Sequence, residues 1–296
     1  MPPSDTPDLV VVGAASRDRA DDDPRGWRLG GTATYASLAA ARLGLRVGCL
    51  LGLDGPAGEA SELDVLEAAG VLLRRVRFGR GPVFDNIEVD GHRRQRWTSA
   101  SDLVPLDAMP AEWAKARGWL LGPVAGEVGP EWASVPGPEA RICVGWQGLL
   151  RAFAPDGRVE RIVPGPSPLL ERAGLVCASL DDVALGGRLE DLRALAPVAA
   201  IVLTAGASGG LVMAGPDGRV TGRYRAIAAN SLDPTGAGDV FMAALMATWL
   251  LTGDLATPRA LRVAAAAGSC AVERPGLSGV PTKAEVVARL RGARLL

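Results

Sequence analysis

Two aspartates bracket three small residues in Asp233-Pro234-Thr235-Gly236-Ala237-Gly238-Asp239, and the apolar run Val240-Phe241-Met242-Ala243-Ala244-Leu245-Met246 follows directly. That run reads as a buried helix, which puts Gly236, Ala237 and Gly238 at its N-terminus. The first amides of a helix lack intrahelical acceptors and lie at the positive end of its dipole. Without bulky side chains above them they form an anion hole suited to phosphate. Asp239 projects from the first turn beside that anion. A carboxylate held ionised there can orient an attacking hydroxyl and accept its proton, as phosphoryl transfer requires. The plainer alternative is an Asp-Pro-Thr-Gly turn in which Asp239 only stabilises the helix; two aspartates around Gly-Ala-Gly favour the phosphate site.

Other chemistries lack their residues. His92 is the one histidine and follows Asp90-Gly91, a hairpin-turn pair, so an exposed loop tip is expected there. A Ser-His-Asp triad, an H-E-x-x-H zinc site or a histidine relay would each rest on that residue. The base is therefore sought among carboxylates. No G-x-x-x-x-G-K-[ST] run occurs, and Gly13-Ala14-Ala15-Ser16 lacks the G-x-G-x-x-G fingerprint. Cys49, Cys143, Cys177 and Cys270 are far apart, without C-x-x-C spacing, which argues against a disulfide framework or a zinc site and for a reducing cytoplasm. A formal net charge of -1 gives no basic field for nucleic acid. The start of the chain lacks a signal-peptide pattern, and the apolar stretch Val240 to Leu251 is too short to span a bilayer, so no membrane partner is expected.

The elements that must position Asp239 alternate. Leu9-Val10-Val11-Val12-Gly13 reads as a buried parallel strand, and Gly30-Gly31 opens an alanine-rich helix from Thr32 to Leu43. A second strand, Leu45 to Leu51, precedes a helix reaching Ala69. Further strands are expected near Trp119 to Gly122, Arg141 to Val144, Leu175 to Ala178 and Ala200 to Leu203. This is the rhythm of a doubly wound α/β sheet. Pro82 to Ser99 breaks it with two extended runs around Asp90-Gly91, a β-hairpin with one wet and one dry face. The polar stretch Ser16 to Arg28 reads as a loop or an exposed edge element. With 48% hydrophobic residues and no low-complexity linker, residues 1–296 read as one domain with small β elements at about 14–29 and 82–99. Trp113, Trp119 and Trp132, which could suggest carbohydrate stacking, are scattered and default to packing.

Asp233 to Asp239 resembles the D-x-T-G-A-G-D signature of the PfkB, or ribokinase-like, carbohydrate kinases. Gly30-Gly31 with the helix through Ala39-Ala40-Ala41-Arg42-Leu43-Gly44 is similar to that family's N-terminal Gly-Gly motif, and Val202 to Gly210 resembles its nucleotide-side strand-turn-strand. The resemblance implies a mostly parallel sheet flanked by helices with a small β lid, using ATP and Mg2+. It makes Asp239 the base and Gly236, Ala237 and Gly238 the anion hole, and sets Thr204, Gly206 and Gly209 along the nucleotide. Asp18, Gly30 and Gly31 would border the acceptor, and Asp233 and Thr235 would lie near a monovalent-cation site, K+ in members that have one. Ser179-Leu180-Asp181-Asp182 replaces the family's Asn-x-x-Glu, leaving Asp182 in the glutamate's place; Tyr35 stands where ribokinases carry a substrate-binding asparagine. Gly122 to Glu127, Gln147 to Arg151, Ala178-Ser179 and Asp233-Pro234 look like the myo-inositol kinase branch, which adds Glu127 and Gln147 to the acceptor set. The leading expectation is a sugar or cyclic-polyol kinase, with a homodimer through the lid. A nucleotide- or sugar-binding sensor of weak activity and a nucleoside kinase remain alternatives.

Overall fold

The computed structural model describes residues 6–89, 92–183, 189–215, 217 and 219–293. The Asp90-Gly91 turn expected at the hairpin tip lies outside them, as does the side chain of His92.

In chain order the strands and helices begin with β1 (Leu9–Ala14), β2 (Ser16–Arg19), β3 (Trp27–Gly30), α1 (Thr32–Arg42), β4 (Val47–Leu53), α2 (Gly55–Gly58), α3 (Glu62–Ala68) and β5 (Leu72–Arg77). The hairpin strands β6 (Val83–Val89) and β7 (His92–Ser99) follow, then β8 (Gly118–Leu121), β9 (Arg141–Gly145), β10 (Arg151–Phe153), β11 (Val159–Arg161), α4 (Pro168–Arg172) and β12 (Leu175–Ser179). The chain continues with α5 (Leu189–Leu195), β13 (Ala200–Thr204), β14 (Gly210–Met213), β15 (Val220–Tyr224), α6 (Ala237–Thr252), α7 (Pro258–Ala271) and α8 (Lys283–Gly292).

Nine strands form one sheet in the order β15-β14-β13-β12-β9-β8-β1-β4-β5. From β13 to β5 every neighbouring pair is parallel, and β14 and β15 extend that side antiparallel. β1 and β4 are buried along their whole length, as near-continuous apolar runs demand when both faces are covered. One face packs on α1, α6 and α7; the other carries Trp119, Trp132 and Trp146, all fully buried, so the tryptophans serve as core. All four cysteines are buried and free.

The segment expected as a loop or edge element pairs instead. β2 and β3 run antiparallel, and β2 joins β6 in parallel, giving a second sheet in the order β3-β2-β6-β7. Its polar sequence forms strands because Arg17 is neutralised by Asp54 at 2.8 Å and Arg25 stacks on Trp27, 4.5 Å from the ring centroid. The β7 edge is not open at Arg96-Trp97: the Trp97 N–H donates to Gly157 O at 2.9 Å, and its indole donates to Ala154 O at 2.9 Å. A second copy pairing there would have to displace the chain's own β10–β11 turn. Among the described residues no helix is long and apolar enough to cross a membrane.

Candidate active site

Two helix N-termini meet above the C-terminal ends of the parallel strands. Helix α1 starts after Gly31 at φ 96°, and α6 after Gly236 at φ 76°, both in conformations that favour glycine. Thr32, the first residue of α1, donates through Oγ1 to Asp239 Oδ1 at 2.8 Å across 207 residues of sequence. That bond fixes the carboxylate at the junction. Thr32 is buried, and its methyl sits where a side chain on Gly122 would collide. The sequence reading missed Thr32; a hydroxyl residue directly after the Gly-Gly pair was the available signal.

The start of α6 leaves its first amides uncovered. In α6 the Val240 N–H donates to Gly236 O at 2.9 Å, closing the first full turn, so the Gly238 amide precedes the hydrogen-bonded ladder. Gly238 is exposed, and a Cβ there would meet nothing within 4 Å, which leaves room for a phosphate to approach. Gly236 is closed on its other side, where a Cβ would come 2.3 Å from Tyr35 ring carbons. The buried Tyr35 ring is thus the floor of the hole. Burial first, and then the charges of Asp18, Asp233 and Asp239, push its phenol well above the ordinary value.

The acceptor-side residues cluster with this floor. Asp18 on β2 accepts from Ser16 Oγ at 2.8 Å, and a Cβ on Gly30 would press on Asp18 Oδ2, so Gly30 and Asp18 share one wall with Gly31 beside it. Glu127 is different. It is fully buried, and its oxygens accept from the amides of Ala14 at 3.2 Å, Val124 at 3.0 and 3.1 Å, and Ala125 at 2.8 Å. Burial pushes its carboxyl up against the opposing pull of those amides. Glu127 therefore shapes the loop after β8 and presents no surface to an acceptor. Gln147 follows β9 and is half-buried; two residues before it, at the end of that strand, Gly145 is covered by Met242, one turn beyond Asp239.

On the other flank, Thr204 ends β13 and the 206–208 turn follows it, closed by the Ala205 N–H donating to Gly209 O at 2.7 Å. Leu180 N–H donates to Thr204 O at 2.8 Å, which brings the Ser179–Asp182 segment alongside. Asp182 is buried and paired through Oδ1 with Arg151 at 2.6 Å. Asp233 accepts from the Thr235 amide at 2.9 Å and from Gly276 at 3.0 Å, tying the signature turn to the 276–279 turn. Among the described residues no three His, Cys, Asp or Glu side chains gather into a metal cluster.

A family model described as pfkB family carbohydrate kinase matches residues 178–283, from the end of β12 through the 206–209 turn, the signature and α7. This is the pfkB carbohydrate-kinase signature on a ribokinase-like fold. The match supports a phosphotransferase of the carbohydrate-kinase kind. A pyrophosphate-dependent kinase in the ribokinase family, solved with a pyrophosphate analog and myo-inositol, superposes with a TM-score of 0.72 at 18% identity, covering 95% of this chain and 99% of that one. Ribokinase from Arabidopsis thaliana, with ribose and ATP, gives 0.68 at 17% identity over 97% and 99%. Ribokinase from Giardia lamblia gives 0.71 at 17% over 97% and 99%. At such identities the likeness establishes the fold. Among curated protein sequences there is no match.

Proposed function

We propose that this chain phosphorylates a hydroxyl of a small sugar or cyclic polyol, with Asp239 as the base. The observation that carries the proposal is the Thr32–Asp239 bond at 2.8 Å, which holds a carboxylate at the mouth of the α6 anion hole. A sensor that only bound a nucleotide would need the amides and not the tethered carboxylate. The acceptor hydroxyl would lie between Asp239 and Asp18. There Asp239 orients it, takes its proton as the bond to phosphorus forms, and the Gly236–Gly238 amides offset charge on the phosphoryl oxygens. Lid residues of β2, β3, β6 and β7 would exclude water from that transfer.

The donor side reads as Thr204, Gly206, Gly209 and Asp182. A magnesium ion ligated mainly by phosphates and water could be met by the Asp182 carboxylate, and such an ion would neutralise donor charge. Both Asp233 oxygens already accept backbone N–H groups, so the signature turn is held by the protein itself and no step is assigned to K+. Tyr35 in place of an asparagine, with its ring under Gly236, gives the pocket a flat, broad floor. That suits a ring-shaped polyol such as myo-inositol, the ligand bound in one structural relative.

The test is donor turnover across myo-inositol, other polyols, ribose, fructose and nucleosides, with ATP and pyrophosphate each supplied as donor. Acceptor-dependent turnover with a polyol is expected. Donor consumption unaffected by every acceptor would remove the kinase reading and leave the sensor.

A further inference from the structure

We propose that Arg151 is a positioning residue that turns Gln147 into a hydrogen-bond donor for the acceptor and fastens the β6–β7 hairpin over the site; the acceptor part rests on the kinase reading above. Arg151 opens β10 and is nearly buried, with a side-chain exposure of 11%. Its guanidinium serves three elements at once. Nε and Nη2 donate to Asp182 Oδ1 at 3.2 and 2.6 Å, and Nη1 donates to Gln95 Oε1 on β7 at 2.7 Å. Because a guanidinium only donates, Gln147 is assigned with its amide oxygen toward Arg151, accepting from Nη1 at 3.2 Å and Nη2 at 2.7 Å. Gln95 passes the connection on, its Nε2 donating to Asn86 Oδ1 on β6 at 2.9 Å.

Two consequences follow from this fork. An amide whose oxygen is held by a guanidinium has only N–H groups left, so Gln147 meets a ligand as a donor and suits an acceptor's hydroxyl oxygen. The hairpin, meanwhile, is bonded to the segment after β12 through one planar cation, whose donors on three separate nitrogens span a distance that a lysine's three donors on one nitrogen do not. Hairpin position and Gln147 orientation are therefore set together. The Trp97 and Phe153 rings, 5.5 Å apart edge to face, brace the same joint between β7 and β10.

Two substitutions and two readouts test this. Gln147→Glu keeps oxygens for Arg151 and removes the N–H donors; acceptor KM should rise about tenfold or more while donor KM and kcat hold, the worth of one hydrogen bond to a ligand. Arg151→Lys keeps the buried charge pair and loses the fork. Its acceptor KM should rise likewise, and amide hydrogen exchange in residues 83–86 and 95–99 should quicken by about tenfold while the β1 and β4 amides stay protected. Should that variant fold poorly, Arg151→Met with Asp182→Asn removes both charges together and the same exchange is read. Wild-type acceptor KM in Gln147→Glu would overturn the donor role, and unchanged hairpin exchange would overturn the fastening role. Exchange needs no substrate. A chain inactive with every acceptor would refute the kinase reading and the Gln147 role together, while exchange in the Arg151 variants still judges the joint on its own.

Discussion

Replacing Thr32 with valine probes the site at the bond that joins its two helices. Thr32 is 3% exposed and its methyl packs toward Gly122, so valine preserves shape and deletes only the donor to Asp239. A hydrogen bond to a charged group contributes about 1.5–3 kcal/mol. If that energy holds the carboxylate in its reactive position, its loss lowers kcat/KM by about 10- to 150-fold at roughly 1.36 kcal/mol per decade. An opposing effect exists, since a carboxylate with one donor fewer is a stronger base. That gain follows a Brønsted slope and is small beside the loss of orientation. Thr32→Ser keeps the hydroxyl and should retain most activity. The assay is acceptor-dependent donor turnover for the three proteins across pH, with unfolding midpoints measured alongside. Wild-type kcat/KM in a folded Thr32→Val would refute the claim that Thr32 positions the base.

Asp239→Asn should fold and bind donor nearly as the parent does, yet lose turnover by about two to four decades, the usual worth of a positioned base; near-normal product release would sink its assignment. Gly236→Ala meets both a positive φ and the Tyr35 ring at 2.3 Å, so denaturant unfolding should show a loss of roughly 2–5 kcal/mol, part of it recovered by adding Tyr35→Ala. Hydrogen bonds from Arg25 hold Asp23 down from its ordinary 3.8 to about 2. A depressed carboxyl contributes stability that is complete above its ordinary value and lost as pH falls through its folded one. The unfolding free-energy gap between wild type and Asp23→Asn should therefore shrink between about pH 5 and about pH 2; a gap that stays constant would count against the Arg25 pairing.

Local pattern carried much of this protein. The buried strands at Leu9 and Val47, the alanine-rich helix after Gly31 and the hairpin from Val83 were legible because burial imposes its period on neighbouring residues. The start of α6 at Gly236-Ala237-Gly238 was legible too, since a helix start needs only consecutive small residues ahead of an apolar run. The polar strands β2 and β3 were not, because their partners lie elsewhere: β6 is about sixty residues away and Asp54 thirty-seven. The use made of each polar side chain was hidden for the same reason. Glu127 looked like an acceptor for a polyol, and only the approach of Ala14, 113 residues distant, shows its oxygens given over to backbone amides. Asp182 stood in the place of the family's glutamate, and only the fold sets Arg151 against it. The sequence by itself determined the α/β alternation, the phosphate-ready helix start and the carboxylate beside it. Which residues hold that carboxylate, floor the hole and orient the pocket's amide was decided by tertiary packing, because those partners meet only when distant segments close on one another.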